Sequence, residues 1–252
     1  MKKIGKNEER TALYLERFDS EKTLKLLIAK DAPLILDIGA NSGQSLLEFK
    51  QWWPNSQVHC FEPQDECWED LLLCKKKFEE DTIFLNKCAA GKEAVEGKSF
   101  YSHDIHSGLS GFNKINLESK DSIDLSKSRN KEGSNSSSYG TGLNKERKVP
   151  VVRLDHYAND AKLEGFDLVK IDTQGHEIEV LEGMGDLLSK TKVVTCELML
   201  YDYYEKSLSF AELETPLHKA GFKLYDISHI AKNPMNGRTD WVDVTYVNDN
   251  AF

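Results

Sequence analysis

The sequence predicts an α/β domain built on a doubly wound, mostly parallel seven-stranded sheet with helices on both faces. Three observations predict it. Short apolar runs alternate with segments of helical spacing as far as Gly91. The runs are nearly continuous in apolar residues, as strands covered on both faces are, rather than alternating inward and outward. Prolines or glycines close most of the segments, where neither a helix nor a central strand continues easily.

The elements follow in order. The first thirty residues read as helical, with Leu13, Leu24, Leu27 and Ile28 in apolar spacing and Pro33 ending the run. "PLILDIG" is the first strand, "SLLEFKQWW" a helix stopped by Pro54, and "QVHCFEP" the second strand. "DECWEDLLLCKKKFEE" places Trp68, Leu71, Leu72 and Phe78 on one helical face, and "TIFLNKCAAG" is the third strand. From 113 to 148 the chain is rich in Ser, Lys, Asn and Gly. Such a segment buries too little surface to offset its ordering entropy, so it is read as a mobile insertion or as a lid that orders on a ligand. Regularity resumes at "KVPVVRLDHY", and "GFDLVKIDTQG" is a strand running into a turn. "HEIEVLEGMGDLL" is a helix, "KVVTCELML" a strand, "FAELETPLHKAG" a helix closed by Gly221, and "FKLYDI" and "WVDVTYV" are closing strands.

At 252 residues the chain is long enough for one large domain with a sizeable core, so a single domain over 1–252 is expected. The formal charge of -9 argues against a general grip on nucleic-acid backbones. No apolar run approaches the roughly 20 residues that span a bilayer, and the first residues lack the apolar core of a secretion signal. A cytoplasmic protein is the expectation. The five cysteines, 60, 67, 74, 88 and 196, form neither a disulfide framework nor a CxxC pair, and reduced thiols are expected.

"LILDIGANSGQS" ends a buried-looking strand in Asp37 and runs into Gly39 and Gly43. In an open parallel sheet, ligands bind beyond the carboxyl ends of the strands, where strand order reverses. The glycines would let the backbone turn tightly and a ligand approach it. The spacing is neither the dinucleotide pattern GxGxxG nor a P-loop, which disfavours a nicotinamide-dependent oxidoreductase. A carboxylate at Asp37 repels a phosphate and welcomes a cation or amine. Glu62, 23 residues beyond Gly39, sits where nucleoside-binding folds place an acid for the ribose hydroxyls. S-adenosylmethionine, with a ribose, an ammonium, a sulfonium and no phosphate, suits both.

"LDIGANSGQS", "HCFEP", "NKCAAG", "VVRLDHY", "DLVKIDTQGHEIEVLEG" and "VVTCEL" occur in an order that resembles FkbM-type methyltransferases, a branch of the class I S-adenosylmethionine-dependent enzymes. The resemblance covers Pro33 to Met199 with the polar segment excepted. It implies a Rossmann-like sheet, a bound methyl donor and methylation of a hydroxyl on a sugar or natural-product scaffold. It makes Asp37, Gly39, Asn41 and Gly43 the motif against the methionine part, Glu62 the ribose acid, and Cys88 and Ala89 the lining of the adenine pocket.

Methyl transfer from a sulfonium is an in-line displacement, so the protein must align the acceptor oxygen and help remove its proton. Within "LVKIDTQGHE", strand alternation puts Lys170 and Asp172 on one face, and His176 follows at the start of a helix. Glu197, near the end of the next strand, would neighbour Asp172. Either His176 or Asp172 acts as general base, or Asp172 and Glu197 hold a divalent ion such as Mg²⁺ that lowers the hydroxyl pKa. The metal-free version is preferred, because two carboxylates are a thin ligand set. Lys170 is more simply a paired structural cation, and Glu177 and Glu179 are more simply solvent-facing charges at a helix start. His103, His106 and His156 are lone loop histidines, "SGLSG" is a better loop for close contacts, and Trp52 and Trp53 read as packing.

Overall fold

A computed structural model describes residues 6–103, 107–123, 142–234 and 236–249. The strands β1 (Leu34–Ile38), β2 (Gln57–Phe61), β3 (Ile83–Asn86), β7 (Leu168–Ile171), β8 (Val193–Met199), β9 (Phe222–Lys232) and β10 (Thr239–Asn248) form a seven-stranded sheet in the order β3-β2-β1-β7-β8-β10-β9. The first five in that order pair in parallel, and β10 alone runs antiparallel, between β8 and β9. The predicted doubly wound sheet is therefore present, and strand order reverses between β1 and β7.

Helices cover both faces. On one face α2 (Ser20–Ile28), α3 (Gln44–Trp52) and α4 (Trp68–Lys75) bury Leu24, Leu27, Leu46, Phe49 and Leu71 against Ile35, Val58 and Cys60. On the other, α5 (Leu154–Asp160), α6 (Glu177–Met184) and α7 (Phe210–Lys219) bury Leu154, Val180, Leu181, Leu213 and Leu217 against Leu36, Val169 and Val194. The N-terminal region is two helices rather than one run: α1 (Asn7–Arg17) buries no residue, and Asp19 caps α2 by accepting from Lys22 N at 2.8 Å. In α4 the buried face is Leu71 and Cys74, which continue from Cys67 at helical spacing, while Leu72, assigned inward in the sequence, lies off that face and is 43% exposed; Phe78 lies beyond the helix end at Lys75.

A second sheet was not legible in the sequence. β4 (Ala89–Ala90), β5 (Val95–Ser102) and β6 (Lys145–Val152) form it in the order β4-β6-β5, with Ala89, Phe100, Val149 and Val151 as its small core. The predicted third strand therefore divides, its first half in the main sheet and its Ala89–Ala90 end in the second. Of the segment 113–148, residues 124–141 lie outside the described residues, and the flanks on either side are packed. Ile115 is 1% exposed and bridges to Tyr204, and Asn144 Nδ2 donates to the Ile115 carbonyl at 2.9 Å. Among the described residues no helix is long and apolar enough to cross a membrane.

Candidate active site

The turn after β1 is left-handed at Gly39 (φ +84°), Asn41 (+46°) and Gly43 (+90°). Gly39 N and Ala40 N donate to the Phe61 carbonyl at 2.9 and 3.1 Å, tying the turn to the end of β2. The glycines serve the chain itself. A Cβ on Gly39 would sit 2.0 Å from the Asp172 carbonyl oxygen, and one on Gly43 would sit 3.1 Å from side-chain atoms of Leu71 and Cys74. What comes so close to this backbone is the end of β7. Asparagine tolerates the left-handed region, and Asn41 Oδ1 accepts from Ser42 N at 2.8 Å and Ser107 Oγ at 3.2 Å.

Glu62 is 2% exposed, yet both its oxygens are held: Asn41 N donates to Oε2 at 2.9 Å and Gln64 N to Oε1 at 2.8 Å. Burial raises its pKa and those donors oppose the rise. A carboxylate oxygen can accept more than one hydrogen bond, so each keeps capacity for a ligand hydroxyl. A cavity of about 380 Å³ lies over the turn, walled by Gly39, Asn41, Glu62, Ala89 and Ala90 and by Lys170 and Asp172 across the switch point. Ser107, Gly108 and Ser110 of "SGLSG" also face it. Cys88 does not, and packs against the main core instead.

Asp37 is fully buried, and its strand partner is Lys170. Lys170 Nζ lies 3.8 Å from Asp37 Oδ1 and 3.3 Å from Asp172 Oδ2. Burial pushes Asp37 up to about 6 against the pull of Lys170. Burial works against the Lys170 ammonium, but Asp172 and Asp37 outweigh it and hold its pKa above the usual value. The cation nearest Asp37 is thus the chain's own, and neither Asp37 oxygen has a hydrogen-bond partner among the described residues.

Asp172 and Glu197 are neighbours, joined by Gln174. Its Nε2 donates to Asp172 Oδ1 at 2.9 Å and to Glu197 Oε2 at 2.8 Å, while its Oε1 lies 2.8 Å from the Tyr204 hydroxyl. Two carboxylates, acceptors only, decide which end of the amide faces them. Burial and then Asp172 raise the Glu197 pKa. The amide nitrogen stands where a shared divalent ion would need to sit, so this pair as arranged does not fit Mg²⁺. Among the described residues no group of three or more His, Cys, Asp or Glu side chains is gathered for a metal.

His176 is not brought to this pair. Gln174 (φ +56°) and Gly175 (φ +91°) reverse the chain after β7. They carry His176 to the second sheet, where its ring centroid lies 4.2 Å from that of Phe112 and its Nε2 lies 3.3 Å from Lys98 Nζ. Its side chain is nearly buried, lies outside the cavity wall, and is held at a low pKa by burial and then Lys98. Glu177, read as solvent-facing, is 2% exposed and accepts from Thr173 N, Thr173 Oγ1 and Gly175 N, each at 3.1 Å. Asp155 pairs with Arg153 and accepts from His156 N at 2.8 Å, His156 is exposed, and His103 Nδ1 accepts from Asn144 N at 3.0 Å. His106 lies outside the described residues. Trp53 is buried as packing, and half-buried Trp52 packs against the same core while also lining a neighbouring cavity. Sequence reasoning missed His229 and Asp243, which also line the cavity over the turn. They stand on strands that looked peripheral, and no local pattern marks them.

Residues 37–224 match the family described as the Methyltransferase FkbM domain. The chain is 29% identical over 184 residues to 2-O-methyltransferase NoeI of Sinorhizobium fredii, covering 72% of this chain and 70% of that protein. It is 28% identical over 167 residues to methyltransferase sdnD of Sordaria araneosa, covering 61% of each. Among solved structures, precorrin-6y C5,15-methyltransferase of Geobacter metallireducens aligns with a TM-score of 0.47 at 15% identity, over 99% of this chain and 92% of that one. The matched span runs from Asp37 through Glu62, Asp172 and Glu197 to the start of β9, and the chain belongs to the FkbM methyltransferase family.

Proposed function

We propose that this methyltransferase moves a methyl group from S-adenosylmethionine to a hydroxyl of a sugar or a similar polyhydroxylated small molecule, without a metal ion. The observation that carries this reading is Glu62, held by Asn41 N and Gln64 N in the wall of a cavity at the switch point of the sheet. When bound, the donor supplies an electrophilic sulfonium methyl. Glu62 accepts hydrogen bonds from the ribose hydroxyls, and the small side chains of Ala89 and Ala90 leave room for a flat adenine. Asp37 lies buried behind the glycine turn with the Lys170 ammonium as its nearest cation, so its charge is matched within the chain. Asp172 and Glu197, fixed by Gln174, face the acceptor side and orient its hydroxyl. The 2-O-methyltransferase among the relatives agrees with an oxygen acceptor.

Thermal unfolding with S-adenosylmethionine, its demethylated product S-adenosylhomocysteine and NAD tests the donor site, beside Glu62→Ala. Ligand at about 100 times its Kd adds roughly 2.7 kcal/mol, which raises Tm by roughly 5 to 10 °C at this size. The expected result is a shift with the first two ligands, lost in Glu62→Ala and absent with NAD. No shift in the wild type at millimolar ligand would remove the donor assignment.

A further inference from the structure

The cavity over the glycine turn does not end at Asp172. A second, of about 220 Å³, lies between α2–α3 and the sheet face of β7, β8 and β10, and a third opens beside α1. Glu48 and His229 line all three, and Lys170, Asp172 and Asp243 line the first two. The three cavities therefore adjoin in a row, a passage walled by shared side chains that runs from the surface at α1 toward the carboxylates beside the donor site.

His229 stands at the junction because the strand is deformed there. Trp241 pairs with Ala231 but Asp243 pairs with Ser228, so two residues of β9, His229 and Ile230, oppose Val242 alone. That is a β-bulge, a device that re-aims a side chain. His229 also takes a left-handed backbone, φ +45°, at a cost of order 1 kcal/mol for a residue other than glycine. The deformation brings His229 Nδ1 to 2.5 Å from Asp243 Oδ2, and among the described residues Nε2 of this exposed side chain has no partner and is left for a ligand. Asp172 is poorly placed to take a proton, since Gln174 Nε2 occupies Oδ1 and Lys170 Nζ lies against Oδ2.

We propose that His229, oriented by Asp243, takes the proton from the acceptor hydroxyl, and that the acceptor enters by this passage. The proposal rests on the methyltransferase reading above. The hydroxyl oxygen forms a bond to the methyl carbon, the carbon–sulfur bond breaks with its electron pair returning to sulfur, and the O–H proton passes to His229 Nε2. The imidazolium so formed is balanced by the Asp243 carboxylate. Among the described residues, the titratable and charged groups that line the second and third cavities with His229 are Glu48 of α3, Lys170 of β7 and Asp172 just after it, Cys196 and Glu197 of β8, Asp226 of β9 and Asp243 of β10, with Tyr14, Asp19 and Glu21 at the outer mouth. Acids outnumber the single lysine, and Trp52 offers an aromatic face. The passage suits a neutral or cationic polyhydroxylated ring and disfavours a phosphorylated one.

The test compares wild type, His229→Asn and Asp243→Asn. Asparagine tolerates the left-handed backbone but cannot act as the base. Imidazole ¹⁵N spectra of the wild type with S-adenosylhomocysteine should show His229 protonated at Nδ1 and free at Nε2, an arrangement lost in Asp243→Asn. Binding of S-adenosylhomocysteine, measured in both variants, separates a damaged donor site from a lost base. Transfer to methyl glucoside, galactoside and mannoside should fall about 100-fold in His229→Asn, and the decline of rate at acid pH should vanish. An Nε2–H ring in the wild type, or a His229→Asn rate within about threefold of wild type with the acid decline intact, overturns the proposal and leaves the methyltransferase reading standing. Wild type that binds S-adenosylhomocysteine but methylates no glycoside overturns the hydroxyl-acceptor reading and this proposal together.

Discussion

Gly39 shows how a residue can be found for one reason and needed for another. Its position after an apolar strand and an aspartate marks a tight turn in the sequence, and the turn is there at φ +84°. The crowding that excludes a side chain comes from the Asp172 carbonyl, 2.0 Å from where a Cβ would sit. Gly39→Ala should therefore cost both a left-handed backbone and a displaced β7 end, about 3 kcal/mol together. Urea unfolding at neutral pH checks this, and a loss under about 1 kcal/mol would mean that β7 yields freely. Glu62 is the opposite case, since its distance from the glycines and its place after β2 were both legible. Its two backbone donors were not, because Asn41 and Gln64 meet it only once the turn has closed.

The segment that joins β7 to α6 is the element where chain spacing misleads most. Counting four residues from Asp172 puts His176 at the same mouth, but two left-handed residues in succession send it to the second sheet. Glu177 staples that turn through Thr173 and Gly175, and burial raises its carboxyl to about 7 despite those donors. The folded pKa lies above the unfolded value near 4.5. Between these values the unfolded chain has released a proton that the folded chain keeps, so stability falls as pH rises from about 4.5 to about 7. Glu177→Gln keeps an accepting oxygen without the titration. It should lessen the decline in unfolding free energy between roughly pH 5 and pH 8 by roughly 2 kcal/mol. Denaturant titrations of both proteins at the two pH values would show it, and parallel declines would place the charged form of Glu177 at no disadvantage in the fold.

For the whole molecule, the formal charge of -9 and the acids around the passage set up a field that favours a cationic ligand. S-adenosylmethionine carries a sulfonium charge that S-adenosylhomocysteine lacks, so added salt should weaken the donor more. Raising salt from roughly 0.05 to 0.5 M should loosen the donor by roughly two- to fivefold and leave the product nearly unchanged, by calorimetry. Equal salt responses would mean that Lys170 cancels the acids. By itself the sequence determined the doubly wound sheet, its glycine turn, Glu62 and the pairing of Asp172 with Glu197, because strand periodicity and strand ends are local signals. Only the tertiary structure decided the second sheet, the exile of His176 and the meeting of His229 with Asp243 in the wall of the cavity over the glycine turn. These depend on left-handed turns, a bulge and pairings between distant strands, where the chain's direction is set by what it packs against rather than by its own residue pattern.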